Sequence, residues 1–102
     1  MAWWVYVAAF FAGMFLANFV PHFVKGVCGD RFPSPFTRPA GKALSSPLVN
    51  ALWGLLNLIA GYFLFRAGKV WSGDAAVLVV FFAGITLMSI MLSINFAKKD
   101  KE

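Results

Sequence analysis

Charged residues are scarce in this chain, and their scarcity excludes most soluble folds. Of the 102 residues, 13% are charged and 61% are hydrophobic, whereas soluble domains carry roughly 25% charged residues. A soluble fold of this length has too little interior to bury so much apolar surface. The composition therefore predicts a membrane protein.

Charges are missing altogether from three long stretches of the chain. Residues 2–24, 48–65 and 75–97 contain no Asp, Glu, Lys or Arg, and a helix needs about 20 residues, within a range of about 17–25, to cross the hydrocarbon core. None of the stretches alternates polar and apolar residues as the strands of a membrane barrel do. We predict an all-α integral membrane protein with three transmembrane helices in a single membrane domain, 1–102. The expected segments are helix 1 at about 2–24, a loop at 25–46, helix 2 at about 47–67, a hairpin turn at 68–73, helix 3 at about 74–97 and a basic tail at 98–102.

The groups that carry out most chemistry are also missing. Intramembrane carboxylates are the usual proton or cation carriers of transporters, and none lies within a predicted span. Glycine-rich phosphate loops, nucleophile elbows and metalloprotease motifs do not occur. The single cysteine, Cys28, excludes an internal disulfide, and with the single histidine it provides too few ligands for structural zinc. We therefore expect no catalytic residue, no metal and no cofactor, and the chain is interpreted as not being an enzyme.

The cations that are present lie between the apolar stretches. The loop and the tail together hold seven, and the opposite side of the membrane holds only Arg66 and Lys69. The seven are Lys25, Arg31, Arg38, Lys42, Lys98, Lys99 and Lys101. Because short loops rich in Lys and Arg stay in the cytoplasm, we predict an inner, bacterial-type plasma membrane with the amino terminus outside and the carboxyl terminus in the cytoplasm. The net charge of +5 follows from this topology, so no nucleic-acid partner is expected.

The membrane boundaries carry further signals. Trp3, Trp4 and Trp71 would fall at the outer boundary, where amphipathic aromatic rings are enriched. No Lys or Arg precedes the first apolar stretch, so this stretch does not match the basic amino end of a cleaved signal peptide.

Four residues mark the expected helix ends. Ser46 and Pro47 favour the start of helix 2, as a cap and a first helical residue. Gly68 is expected to close helix 2 in a left-handed conformation, and Asp74 to cap helix 3. Pro21 is expected to kink or end helix 1.

Small and polar residues form stripes along the helices. On helix 2 the stripe is Asn50, Gly54, Asn57 and Gly61, and glycines allow close helix approach while asparagines bond between helices. Helix packing is the favoured interpretation, and the lining of a conduction path is the alternative. The small-residue faces of the other two helices contain Gly13 on helix 1 and Thr86, Ser89 and Ser93 on helix 3.

The loop between helices 1 and 2 is basic, proline-rich and aromatic. Arg31, Arg38 and Lys42 lie close to Phe32 and Phe36. Cations beside a membrane attract anionic headgroups, so we expect these five residues to bind anionic lipid on the cytoplasmic side, with the rings dipping into the membrane, or to bind a protein partner.

One histidine lies near the inner end of helix 1. His22 has the side chain that titrates closest to neutral pH and is a candidate proton relay. The alternative is a polar contact with a neighbouring residue.

The sequence thus favours a small non-enzymatic membrane protein that acts as an oligomeric or accessory interaction or assembly subunit. Its partners would be membrane lipids and either copies of itself or a larger membrane complex. The alternative is a small oligomeric channel or transporter in which Asn50, Asn57 and His22 line the path.

Overall fold

A computed structural model describes residues 1–100, and this part of the chain is almost entirely helical. Helix α1 spans Trp3–Val27, α2 spans Pro47–Ala67 and α3 spans Ala75–Phe96. All three are long and apolar enough to cross a membrane. The molecule measures 45 × 23 × 20 Å, and its long dimension matches the thickness of a bilayer with its headgroups, about 40–45 Å.

Side-chain caps set the starts of two helices. The Ser46 hydroxyl accepts a hydrogen bond from the backbone N–H of Val49, and the Asp74 carboxylate accepts one from Val77. Each cap satisfies an amide that has no partner within its own helix. The expected roles of Ser46 and Asp74 are confirmed, and Pro47 is the first residue of α2.

The end of α2 differs from the expectation for Gly68. This residue is right-handed, with φ −80°, and the left-handed residues of the turn are Lys69 and Gly73. Gly68 is buried against the backbone of Ala9 in α1, where a β-carbon would collide. The glycine therefore provides space for α1, and the turn takes its left-handed bends elsewhere. A short 3₁₀ helix, Val70–Ser72, lies between those bends.

Helix α1 continues through Pro21 to Val27, three residues beyond the predicted end at about 24. A proline inside a helix removes one backbone hydrogen bond and crowds the preceding turn. The segment after Pro21 packs closely on the start of α2, because Gly26 lies directly against the backbone of Ala51. This packing explains why the helix persists beyond the proline.

Helix α1 is the central helix and packs against both α2 and α3. On the α3 side, Gly13 lies against the backbone of Phe81, and Gly84 lies against the backbone of Phe10. On the α2 side, Gly54 lies against Phe23. The helices approach so closely at these points that a β-carbon would overlap backbone atoms, in keeping with the packing of membrane helices through small residues.

The loop between α1 and α2 contains a small antiparallel pair of strands. Strand β1, Phe32–Pro33, pairs with β2, Leu44–Ser45. The pair folds residues 34–43 into a flap over the ends of the helices, so the basic, proline-rich loop has a defined shape.

The two ends of the bundle have different interiors. At the end next to the α2–α3 turn the core is apolar and consists of Val5, Ala9, Ala12, Val70, Val77 and Phe81. At the end next to the loop the buried side chains are mainly polar and include His22, Ser34, Ser45, Asn50 and Asn57.

Candidate functional site

Asn50 connects α1, α2 and the loop. Its Oδ1 lies 2.8 Å from Nδ1 of His22, and its Nδ2 donates to the backbone carbonyls of Phe32 (2.7 Å) and Ser46 (3.1 Å). Because Nδ2 is engaged as the donor, Oδ1 accepts and Nδ1 of His22 carries the proton. Asn50 is fully buried, so one amide holds α1 and strand β1 against the first turn of α2.

A second amide pair lies deeper in the bundle. Nδ2 of Asn18 donates to Oδ1 of Asn57 over 3.0 Å, and Nδ2 of Asn57 donates to the carbonyl of Trp53 over 2.8 Å. Asn18 is one turn before His22 in α1, and Asn57 is two turns after Asn50 in α2. The antiparallel packing of the two helices therefore brings both pairs together.

Hydroxyl groups give the flap its shape. The side chains of Ser34 and Ser45 are buried and hydrogen-bonded to each other. The Thr37 hydroxyl lies 3.0 Å from the carbonyl of Ser34 and 2.8 Å from that of Ala43, and it bridges the two sides of the flap. These contacts hold the proline-rich segment in one conformation.

Phe32 packs inside the protein. Its ring lies 4.6 Å from that of Phe96 in α3 and 5.7 Å from that of His22, measured between ring centroids. Phe32 is 5% exposed, so the expectation that this ring dips into the membrane is wrong. The ring fixes strand β1 to the bundle, and only Phe36 of the two loop phenylalanines is exposed.

A cavity of about 680 Å³ lies between the flap and the loop-side ends of all three helices. Cavities of roughly 300–1,000 Å³ are typical of small-molecule sites. Its walls contain apolar side chains, among them Leu92 and Phe96, and the flap prolines. Its polar residues are Asn18, His22, Ser34, Lys42, Asn95 and Lys98. Trp53 also lines it, and the indole nitrogen of this residue is buried without a hydrogen-bond partner in the described chain.

The charge at this cavity is positive. Lys42 comes from the flap and Lys98 from the segment after α3, and none of the described lining residues is Asp or Glu. The backbone N–H of Asp100 donates to the carbonyl of Lys42 over 3.0 Å, so the tail and the flap are held together beside the cavity. Two cations at a cavity with both polar and apolar walls suit an anion that has polar and apolar parts.

The other residues singled out in the sequence lie outside the cavity. On α2, Gly54 and Gly61 face α1 in one buried stripe with Asn50 and Asn57. On α3, Ser89 and Ser93 are exposed, and their hydroxyls donate to carbonyls of their own helix. Thr86 does the same. The buried face of α3 is formed instead by Val77, Phe81 and Gly84.

The loop cations are divided by the structure. Lys42 lines the cavity, whereas Arg31, just before β1, and Arg38, on the flap, are exposed and do not line it. Lys25 lies 4.0 Å from the carboxylate of Asp30 at the surface. Of the three predicted anion-binding cations, only Lys42 therefore lines the cavity.

Asn18, Trp53, Asn95 and Lys98 belong to the cavity but were not among the predicted binding residues. Asn18 and His22 lie one turn apart on α1, and Asn50 and Asn57 lie two turns apart on α2, so each pair occupies one face of its helix. Antiparallel packing of these two faces would bring the polar residues together, and this is the signal that the sequence offered for Asn18. Asn95 and Lys98 carry no comparable signal, because their role depends on where α3 ends relative to the flap.

Few of these side chains suit a metal ion. Within residues 1–100, no three His, Cys, Asp or Glu side chains form a group that could hold one. Cys28, the one free thiol in this part of the chain, is exposed.

Comparison with known proteins adds no functional assignment, because no protein-family model, no curated protein and no solved structure matches this chain.

Proposed function

We propose that this chain is a non-enzymatic membrane protein that binds an anionic, phosphate-bearing headgroup in the cavity beneath the flap. The observation that carries the proposal is that Lys42 and Lys98 line the same cavity. None of the described residues that line this cavity is Asp or Glu. An ammonium group binds phosphate as a point charge, and the amides of Asn18 and Asn95 provide both donors and acceptors for the rest of a headgroup.

Binding fits this cavity better than catalysis does. Two groups that could act as a nucleophile or a base, the Ser34 hydroxyl and the His22 imidazole, are hydrogen-bonded to Ser45 and Asn50 in the frame of the site. They hold the flap and the helices in place. The lysines are the charged residues that line the cavity in the described chain.

The cation distribution supports the orientation. We place the flap and the carboxyl end in the cytoplasm of a bacterial-type inner membrane, since seven of the nine cations lie at that end. The inner leaflet is anionic, and each juxtamembrane cation contributes about 1 kcal/mol to its attraction. The cavity would then open at the depth of the inner headgroups.

An interaction role is compatible with headgroup binding. The small hydroxyl side chains of Thr86, Ser89 and Ser93 face outward from α3, and small residues suit contacts with another membrane helix. As an oligomeric or accessory subunit, the chain would use this face for a second copy or a larger complex.

A channel lined by Asn50, Asn57 and His22 has less support. Asn50 and Asn57 are 0% and 1% exposed, and each is hydrogen-bonded within the chain. Toward the other end of the bundle, the interior is filled by the apolar core that includes Val5, Val77 and Phe81.

Native mass spectrometry of the purified protein tests headgroup binding. With phosphatidylglycerol and phosphatidylcholine offered together, wild type should retain the anionic lipid. The double variant Lys42→Gln/Lys98→Gln should retain at least about tenfold less of the anionic lipid than wild type, because hydrogen bonds to charged groups contribute about 1.5–3 kcal/mol each.

A second double variant, Lys25→Gln/Arg38→Gln, is the matched control. It removes the same charge from the same end of the molecule but leaves the cavity intact, and it should bind close to wild type. Equal loss in both double variants would mean that surface charge alone attracts the lipid, and the cavity would not be the site.

A further inference from the structure

A second, smaller cavity lies on the outside of the bundle, next to the first. It is a groove of about 210 Å³ formed by Val49, Leu52, Trp53 and Leu56 of α2 and by Phe36 of the flap. All five side chains are predominantly apolar, and no described lining residue carries a charge. Phe36, Leu52 and Leu56 are each more than half exposed.

The groove faces the surroundings of the protein and not its interior. On α2 it lies on the side away from the buried Asn50–Gly61 stripe, since Leu52 and Leu56 are exposed where Asn50 and Gly54 are buried. In a spanning helix this exposed side is in contact with lipid. The flap reaches over it because the ring of Phe36 packs edge-on against Trp53, with 5.3 Å between the ring centroids.

Trp53 lines both the groove and the larger cavity. This indole therefore borders a cavity that contains two lysines and several polar groups, and a groove whose lining is apolar. A lipid has a complementary arrangement, because its anionic head is joined to apolar chains.

We infer that the groove binds an acyl chain of the same anionic lipid whose headgroup occupies the cavity, with Trp53 between head and chain. This inference rests on the proposed function. It identifies the phosphate-bearing ligand as a membrane lipid, because a free phosphate would occupy the cavity alone.

The groove contributes selectivity more than affinity. An acyl chain leaves surroundings that are as apolar as the groove, so only its fit against Phe36, Trp53 and the α2 side chains favours the bound position. The lysines supply attraction for the head, and the groove selects ligands that have a chain long enough to fill it.

The variant that tests the groove is Leu56→Trp. Side chains on a helix lean toward its amino end, so a tryptophan at this position covers the space beside Leu52 and Trp53. Leu58→Trp is the matched control, because it places the same large ring on the same helix but outside the groove.

Binding of dioleoyl and dihexanoyl phosphatidylglycerol, compared in one detergent by native mass spectrometry, gives the readout. Wild type and Leu58→Trp should prefer the long-chain lipid. Leu56→Trp should lose roughly three- to tenfold of that preference, in line with the small energies of apolar packing in lipid, and should bind the short-chain lipid as wild type does.

Three other outcomes would overturn the inference. An unchanged preference in Leu56→Trp would show that the chain lies elsewhere, although the headgroup site would stand. Failure of wild type to bind either lipid would reject the groove and the proposed function together. A dimer that dissociates in Leu56→Trp, without any change in lipid preference, would assign the groove to a second copy of the chain.

Discussion

The two ends of the bundle differ in the side chains that fill their interiors. Next to the α2–α3 turn, the short 3₁₀ segment places Val70 in an apolar core with Val5, Ala9 and Phe81. Next to the loop, amides, an imidazole and two hydroxyls occupy the interior, and each is bonded to a defined partner. The first end is closed by van der Waals contact, and the second is held by directional bonds.

The difference indicates where function is located. A buried polar network is costly unless every member has a partner, and a satisfied network fixes one arrangement of the groups around it. At the loop end that arrangement keeps a large cavity open under the flap. A purely apolar interior would close more easily over the same space, so the polar end is suited to holding a ligand and the apolar end to holding the helices together.

The largest expected effect concerns the side of the membrane on which each end lies. The native Cys28 is exposed near the flap, and Ser72 is exposed in the turn at the other end. In intact cells, an impermeant thiol reagent should leave wild type unlabelled and should label Ser72→Cys made in a Cys28→Ser background. Labelling of Cys28 from outside would invert the orientation and separate the cavity from the cytoplasmic leaflet.

A smaller but still severe effect is expected from closing the gap between α1 and α3. A β-carbon on Gly84 would overlap the backbone of Phe10, so Gly84→Leu should cost at least about 3 kcal/mol, the upper part of the range for overpacking. Thermal unfolding in detergent should show a large loss. The neighbouring Ala83→Leu places the same side chain at an exposed position, and equal tolerance of both changes would rule out this helix contact.

The most selective comparison of the two ends uses Asn50 and Val77, both fully buried. Asn50→Ala leaves His22 and the carbonyl of Phe32 without their partner, at a cost of about 1–3 kcal/mol for each buried group left unpaired. Val77→Ala removes only apolar contact. Both variants should unfold at lower temperature, but only Asn50→Ala should speed amide hydrogen exchange in residues 32–45. Equal exchange in the two variants would show that Asn50 does not hold the flap.

Hydrophobic length and local caps were sufficient to predict the three long helices, but not the two short strands or the 3₁₀ helix. The three apolar stretches predicted three helices because only a helix satisfies its own backbone in lipid, and Ser46 and Asp74 marked two starts through bonds to amides three residues away. Gly68 shows the limit of this reasoning. A glycine after a helix suggests a left-handed end, but here it makes room for Ala9 of another helix, and nothing local distinguishes the two uses.

The sequence by itself determined that the chain forms three long helices, each apolar enough to cross a membrane, and that most cations lie between or after them, since these features depend on composition and on contacts between near neighbours. Tertiary structure alone decided that Lys42 and Lys98, rather than Arg31 and Arg38, line the cavity, and that Phe32 turns inward while Phe36 turns outward. Those outcomes depend on the pairing of β1 with β2 and on the close approach of α1 to both of its neighbours. Such contacts join residues far apart in the chain, so no short stretch of sequence contains the information that specifies them.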